Sequence, residues 1–199
     1  MKYINQLDYP HWLYVTRTDM ETEEAREKGK TTTISKSGCG LCSAIMVADR
    51  LLPNCNIGLK EMIDLSYANH ANHKVGTDFH VFAPAFARQL EFKLEMSNDL
   101  ERLRFCLRTG GAAVIHTSGN YEDYVGVFSK GGHYIAAIGE EPDGRIVILD
   151  PSYKAGKYEI EGRVGKVEVK NQVVALCDGQ VLLDEIAKRD PGFYLFWRA

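Results

Sequence analysis

Apolar residues recur at helical spacing through the first half of the chain. Four that would share one face of a helix lie at intervals of four, three and four residues: Leu41, Ile45, Ala48 and Leu52. This spacing predicts a helix over residues 40–52, which Pro53 ends because proline cannot continue the hydrogen-bonded ladder. Similar patterns predict three further helices, over residues 58–71, 82–89 and 99–109.

The second half changes to short apolar runs of strand length. Five such runs predict strands over residues 112–116, 134–139, 145–149, 164–169 and 193–198, with a short helix near 184–188. The turn Asp143-Gly144 separates the second run from the third and favours a hairpin. Helices first and antiparallel strands later predict an α+β fold, a helical N-terminal half packed on an antiparallel sheet, in a single domain over residues 1–199.

A polar segment precedes the first predicted helix. Residues 16–37 are rich in Thr, Glu, Lys and Ser, which predicts an excursion over the surface. Within it, residues 21–28 have the composition of a short solvated helix that lacks an apolar stripe.

Composition excludes several classes of function. The formal net charge is −3 with Lys and Arg dispersed, so we expect neither a nucleic-acid partner nor binding to an anionic membrane surface. No run approaches the roughly 20 apolar residues of a membrane span, and the N-terminus has no apolar signal core. Five cysteines, an odd number without dense spacing, predict no disulfide framework. We therefore expect a cytoplasmic location.

One cysteine stands where a helix would activate it. Cys39 follows the polar segment and opens the first predicted helix, between Gly38 and Gly40. A helix N-terminus carries partial positive charge and unpaired N–H groups, which lower a thiol pKa and can face a developing oxyanion. Cys39 is therefore a candidate nucleophile.

A histidine and an aspartate lie at the two ends of the predicted hairpin. His133 opens the strand over residues 134–139, and Asp150 follows the strand over 145–149. Because antiparallel partners run in opposite directions, the start of one strand lies beside the end of the other. We therefore expect Asp150 to accept the imidazole N–H of His133 and fix its tautomer.

These three segments resemble the C39-like family of papain-like cysteine peptidases. The residues that carry the resemblance are Ser37-Gly38-Cys39-Gly40, Ser43, Met46-Val47, Gly132-His133-Tyr134-Ile135 and Leu149-Asp150-Pro151. The family pattern reads Gly-Cys-Gly-Pro-Thr-Ser with Ala-Met-Val, then Gly-His, then Asp-Pro, and this chain has Leu41-Cys42 in place of Pro-Thr.

The resemblance implies a papain-like fold and a set of roles. Cys39 would be the nucleophile, His133 the general base and acid, and Asp150 the residue that orients the histidine. Gln6 resembles the family's oxyanion-hole glutamine. The implied substrate is a peptide or other amide, with no metal or organic cofactor, and the oligomeric state stays open.

Three other functions remain open from the sequence. Cys39-Gly40-Leu41-Cys42 has the spacing of a thiol–disulfide oxidoreductase motif, although residues 31–37 before it do not read as a core strand. Cys39 and Cys42 could bind zinc with two of His70, His73 and His80. The chain could also be an inert binding module of papain-like fold.

Overall fold

The structure is a computed structural model that describes residues 1–16, 30–73 and 76–199. The strands are β1 (Leu13–Thr16), β2 (Lys30–Thr33), β3 (Asn72–His73), β4 (Gly76–Thr77), β5 (Phe92–Ser97), β6 (Ala112–Thr117), β7 (His133–Glu140), β8 (Ile146–Leu149), β9 (Val167–Val169), β10 (Val174–Cys177) and β11 (Phe193–Arg198). The α-helices are α1 (Ile34–Ser37), α2 (Cys39–Leu51), α3 (Leu59–Ala68), α4 (Phe79–Gln89), α5 (Leu100–Arg108) and α6 (Gly179–Glu185). A 3-10 helix, Gln6–Asp8, precedes β1.

Seven strands form one antiparallel sheet in the order β5-β11-β6-β7-β8-β10-β9. The strands β7 and β8 form the expected hairpin, in which Ala136 pairs with Leu149. Helices pack against this antiparallel sheet, which confirms the α+β class. The start of β7 and the end of β8 therefore lie at the same edge of the sheet.

Helices cover both faces of the sheet. The residues that face α2, α3 and α4 alternate along the central strands with residues that face α5 and α6. On the first face lie Ala112, Val114, Tyr134, Ala136, Leu149 and Phe196. On the second lie Ala113, Ile115, Ile135, Ala137, Ile148 and Leu195. Because both faces are buried, the central strands read in the sequence as continuous apolar runs and not as alternating ones.

The helix α2 lies at the centre of the larger core. Ten of its thirteen residues are buried, because β6 and β7 cover one side of it and α3 another. The apolar stripe in its sequence therefore understates how much of the helix is enclosed. Neither α2 nor any other helix in the described ranges is long and apolar enough to cross a membrane.

Some helix boundaries differ from the sequence expectations. The helix expected over residues 82–89 begins at Phe79, because the side chain of Asp78 accepts a hydrogen bond from His80 N at 3.1 Å and caps it a turn earlier. The helix expected over 58–71 ends at Ala68. The short helix expected over 184–188 is wrong in position, since α6 covers Gly179–Glu185.

The first hundred residues also contain more strand than the sequence pattern indicates. The expected excursion over residues 16–37 is wrong for residues 30–37, because Lys30–Thr33 pairs with β1 and Ile34–Ser37 is helical. The expected helix over residues 21–28 lies outside the described residues.

The strand expected over 164–169 begins only at Val167. These short elements have too few residues for a periodic pattern to show.

Candidate active site

Cys39 is the first residue of α2, and Gly38 joins that helix to α1. A Cβ added to Gly38 would lie 2.6 Å from the carbonyl oxygen of Ile34, so no side chain fits there. A Cβ added to Gly40 would lie 3.1 Å from Cβ of Thr77. The glycines on either side of Cys39 therefore allow α1 and β4 to approach the start of α2, where the thiol is half-buried.

The surroundings of the Cys39 thiol favour its ionised form. Burial raises the pKa of the thiol, but the hydrogen bond to His133 and the positive charge of that imidazole lower it. The backbone N–H groups of Tyr134 and Gly40 also lower it, and the pKa of Cys39 lies below its ordinary value. Cys39 is thus more readily ionised than a free cysteine.

His133 joins the thiol to a carboxylate. It is the first residue of β7, and its Nε2 lies 2.8 Å from Oδ1 of Asp150. Because Nε2 faces the carboxylate, Nδ1 is the ring nitrogen left for Cys39. Burial lowers the pKa of His133, but Asp150 and Cys39 raise it, to about 9. The contact between His133 and Asp150 that the hairpin predicts is present.

Asp150 is the most heavily hydrogen-bonded side chain of the site. It is 1% exposed. Its carboxylate accepts hydrogen bonds from His133 Nε2 at 2.8 Å, Ser152 N at 2.9 Å, Ser152 Oγ at 3.1 Å, Tyr158 OH at 2.6 Å and Lys157 Nζ. Burial raises the pKa of this carboxyl, but His133 and Lys157 lower it far below its usual range. Asp150 is therefore ionised and fixed.

Lys157 is a buried cation that the sequence did not identify. Its side chain is 7% exposed, and its ammonium pairs with Asp150 and donates to Ser152 Oγ at 2.7 Å. Burial lowers the pKa of Lys157, and Asp150 opposes that shift. Tyr158 was also missed. A polar stretch after a strand gives no signal of burial, so the sequence does not reveal these two partners of Asp150.

Gln6 lies beside the site without touching the thiol. Its backbone N donates to Pro151 O at 2.7 Å, and its side-chain Nε2 donates to Ser35 O at 2.9 Å. The side chain is buried, and its Oε1 has no hydrogen-bond partner within the described residues. No hydrogen bond joins Gln6 to Cys39 or His133 among the residues that the structure describes. Within the described residues the Gln6 amide donates only to Ser35 O, which leaves its second N–H available to donate.

Cys42 lies one turn further along α2 and faces the core. It is fully buried, and burial followed by the charge of Cys39 raises the pKa of its thiol far above the ordinary value. Both cysteines are free thiols. The two members of the Cys-Gly-Leu-Cys motif thus occupy opposite environments, one ionisable and one buried and protonated.

The described residues offer no ligand set for the zinc alternative. Among them, no group of three or more His, Cys, Asp and Glu side chains is placed to hold a metal ion. The side chain of His73, one of the possible ligands, lies outside what the structure describes.

A second histidine, His116, lies on the strand next to His133. Its ring stacks on Tyr134 with the centroids 4.2 Å apart. Burial, with Arg189 and His133 nearby, lowers the pKa of His116 to about 3. It is therefore neutral across the physiological range and offers a matched comparison for His133.

Comparison of the sequence with protein-family models and with curated proteins finds no match in either. What the site can do therefore follows from its groups: a thiol with a lowered pKa, an imidazole whose charge lowers it, and an ionised carboxylate hydrogen-bonded to that imidazole.

Proposed function

We propose that this protein is a cysteine-dependent hydrolase that cleaves a peptide or other amide bond through Cys39, His133 and Asp150. The observation that carries the proposal is the 2.8 Å contact of His133 Nε2 with the buried Asp150 carboxylate, on an imidazole that lowers the pKa of the neighbouring Cys39 thiol. This is the arrangement that activates a thiol nucleophile and holds its base in one tautomer.

The same geometry supports a papain-like fold. The thiol opens a buried helix that packs on an antiparallel sheet. The histidine begins β7 of that sheet, and the aspartate directly follows the neighbouring strand β8. This is the placement of the three residues that the resemblance of the motifs to C39-like peptidases implies.

The proposed reaction proceeds in two steps. The Cys39 thiolate attacks the carbonyl carbon, and the C–N bond breaks as the His133 imidazolium gives its proton to the leaving amine. A thioester joins Cys39 to the acyl group. Neutral His133 then takes a proton from water, whose oxygen attacks the thioester, and the acid leaves as the Cys39 thiolate and the His133 imidazolium return.

The negative charge on the carbonyl oxygen needs donors. The backbone N–H of Cys39, at the start of α2, is one of the N–H groups that a helix leaves without an internal partner. The free N–H of the Gln6 amide is the second candidate, because Ser35 O holds the side chain beside α1. Donors fixed in place before the reaction stabilise an oxyanion effectively.

The pH dependence of alkylation tests the proposed activation of Cys39. We expect iodoacetamide to modify Cys39 with a midpoint below the roughly 8.5 of a free thiol. In His133→Ala the midpoint should rise, because burial then acts against ionisation without the imidazolium. At pH 6 we expect the wild-type rate to exceed that of the variant about 10-fold or more, a change of one pKa unit. Mass spectrometry of the Cys39 peptide gives the rates.

His116→Ala is the matched control for that experiment. His116 is a half-buried histidine on the neighbouring strand, but it is neutral above pH 3 and should leave the Cys39 midpoint unchanged. A wild-type midpoint at the free-thiol value, or one that His133→Ala does not move, would overturn the proposed mechanism.

Cys42→Ser separates a hydrolase from a dithiol redox enzyme. Because Cys42 is buried and protonated beside an ionisable Cys39, we expect the variant to keep hydrolysis of a peptide library within about 3-fold of wild type. A thiol–disulfide oxidoreductase needs both sulfurs and would lose all turnover. Insulin reduction and peptide hydrolysis, measured on the same preparations, decide between them. Redox activity that Cys42→Ser abolishes would favour the rival function.

A further inference from the structure

A cavity of about 610 Å³ lies beside the Asp150 cluster. Ser152 and Lys157, which both hydrogen-bond Asp150, form part of its wall, and Leu7, next to Gln6, lies at another side. Cys39 and His133 do not line it. A cavity of this volume is in the range that holds small ligands, and it adjoins the reacting groups through Ser152, whose Oγ lies 3.1 Å from His133 Nε2.

The charge of the cavity is of one sign. Lys130, Lys154, Lys157 and Arg163 line it, and none of its lining residues is acidic. Lys157 is already paired with Asp150. Within the described part of the chain, the side chains of Lys130, Lys154 and Arg163 make no ion pair. Three cations around one cavity thus have no ion-pair partner within the described residues.

Arg163 is the most informative of the three. It is 6% exposed, its Nη1 donates to the Lys157 carbonyl oxygen at 3.3 Å, and its buried Nε has no partner. Glu185 is near enough for Arg163 to lower the pKa of its carboxyl, but the two side chains form no ion pair, and the buried Glu185 Oε2 has no partner within the described residues. A buried guanidinium is stabilised by an anion in direct contact, and a carboxylate in the cavity would supply that contact to Arg163.

We propose that this cavity binds a carboxylate of the substrate, which makes the enzyme selective for acidic peptides. The inference rests on the proposed hydrolase function, because the cavity adjoins that site. Arg163 would bind the carboxylate by charge-assisted hydrogen bonds, and Lys154 at the rim would attract it. Phe128 and Ile160, also in the wall, suit the aliphatic stem of a glutamate.

Binding to the full-length Cys39→Ala protein tests this without requiring turnover. Peptide pools with an uncharged fluorophore carry Glu or Gln at one fixed position at a time, each with a free or an amidated C-terminus. We expect Glu to bind about 10-fold tighter than Gln at one position, in line with a hydrogen bond to a charged group. If affinity depends instead on a free C-terminus, the carboxylate that the cavity binds is the C-terminal one of the peptide and not that of a side chain.

Arg163→Met should reduce the preference for Glu over Gln to under about 2-fold, because the buried guanidinium that would bind the carboxylate is gone. Lys166→Met is the matched control, since it removes the same charge nearby without lining the cavity. Lys154→Met, at an exposed position, gives a smaller loss and covers the case in which Arg163→Met does not fold.

Equal affinity for the charged and uncharged pools, or no binding of any pool, would overturn the carboxylate site. Neither result bears on the alkylation of Cys39, which tests the hydrolase independently. Conversely, an ordinary Cys39 midpoint together with a preference for Glu would remove the proposed catalysis and leave an acidic-peptide binding site.

Discussion

Cys39→Ala is expected to lower kcat/KM for peptide hydrolysis by about 10,000-fold or more. Removing the nucleophile of a triad eliminates the covalent pathway, and only binding and oxyanion stabilisation remain. The substitution should leave the fold intact, because Cys39 is half-buried and alanine suits the first turn of a helix. The rates are measured on the best peptide from a library, with the melting temperature of each variant alongside.

Cys42→Ser and Cys55→Ala are the matched controls for this loss. Each removes one free thiol, and neither residue belongs to the proposed triad. Both should therefore hydrolyse the same peptide at rates near that of the wild type. Activity in Cys39→Ala equal to that of the wild type would assign the hydrolysis to another group or to a contaminant, and the proposed nucleophile would be wrong.

The long elements of the fold could be predicted because each carries its own pattern. The helix over 40–52 and the strand over 134–139 are both present, within one residue at each end. The strands β5 and β10 were missed. In β5 the apolar residues Phe92, Leu94 and Met96 alternate with polar ones, but its six residues follow a helix without a turn signal. Its pairing with β11 comes from tertiary structure.

The placement of His133 against Asp150 could be predicted because it follows from one hairpin. A turn fixes which residues of two neighbouring strands meet, so sequence separation does not matter there. The contact of Cys39 with His133 depends instead on how α2 packs across β7, and only the resemblance to a family suggested it. Lys157 could not be found, since nothing in a polar segment marks a lysine that will be buried.

Asp150→Ala is expected to destabilise the fold by about 3–5 kcal/mol, the range for breaking one side of a buried ion pair. The substitution leaves the Lys157 ammonium buried without its anion and the Tyr158 hydroxyl buried without its acceptor. Urea unfolding at pH 7 measures the loss. Lys157→Met should cost less, because His133 continues to balance the charge of Asp150.

The double variant Asp150→Ala with Lys157→Met distinguishes an ion pair from two independent contacts. If the buried cation is the main cost in Asp150→Ala, the double variant should be more stable than that single variant by more than about 1 kcal/mol. Additive losses would show that Lys157 and Asp150 act separately, and the description of a coupled cluster would be wrong.

The pH dependence of stability isolates the contribution of His133 to this cluster. Its pKa is raised in the folded state from 6.5 to about 9, so its stabilisation is complete below pH 6.5 and is lost as the pH rises towards 9. The lowered pKa of Cys39 acts with the opposite sign and masks this slope in the wild type. We therefore expect stability to fall from pH 6.5 upward in Cys39→Ala, where Asp150 still raises the pKa of His133.

Adding Asp150→Ala to Cys39→Ala should remove that slope, because Asp150 is the main group that raises the pKa of His133. Below pH 3.8 the double variant should lose less stability than Cys39→Ala does. The lowered pKa of Asp150 stabilises the fold only while that carboxyl is ionised, and the double variant has no such carboxyl to protonate. Urea unfolding at pH 3, 6 and 9 measures both ends. A slope that persists above pH 6.5 without Asp150 would show that another group sets the charge of His133, and Asp150 would then have no role in holding the imidazolium.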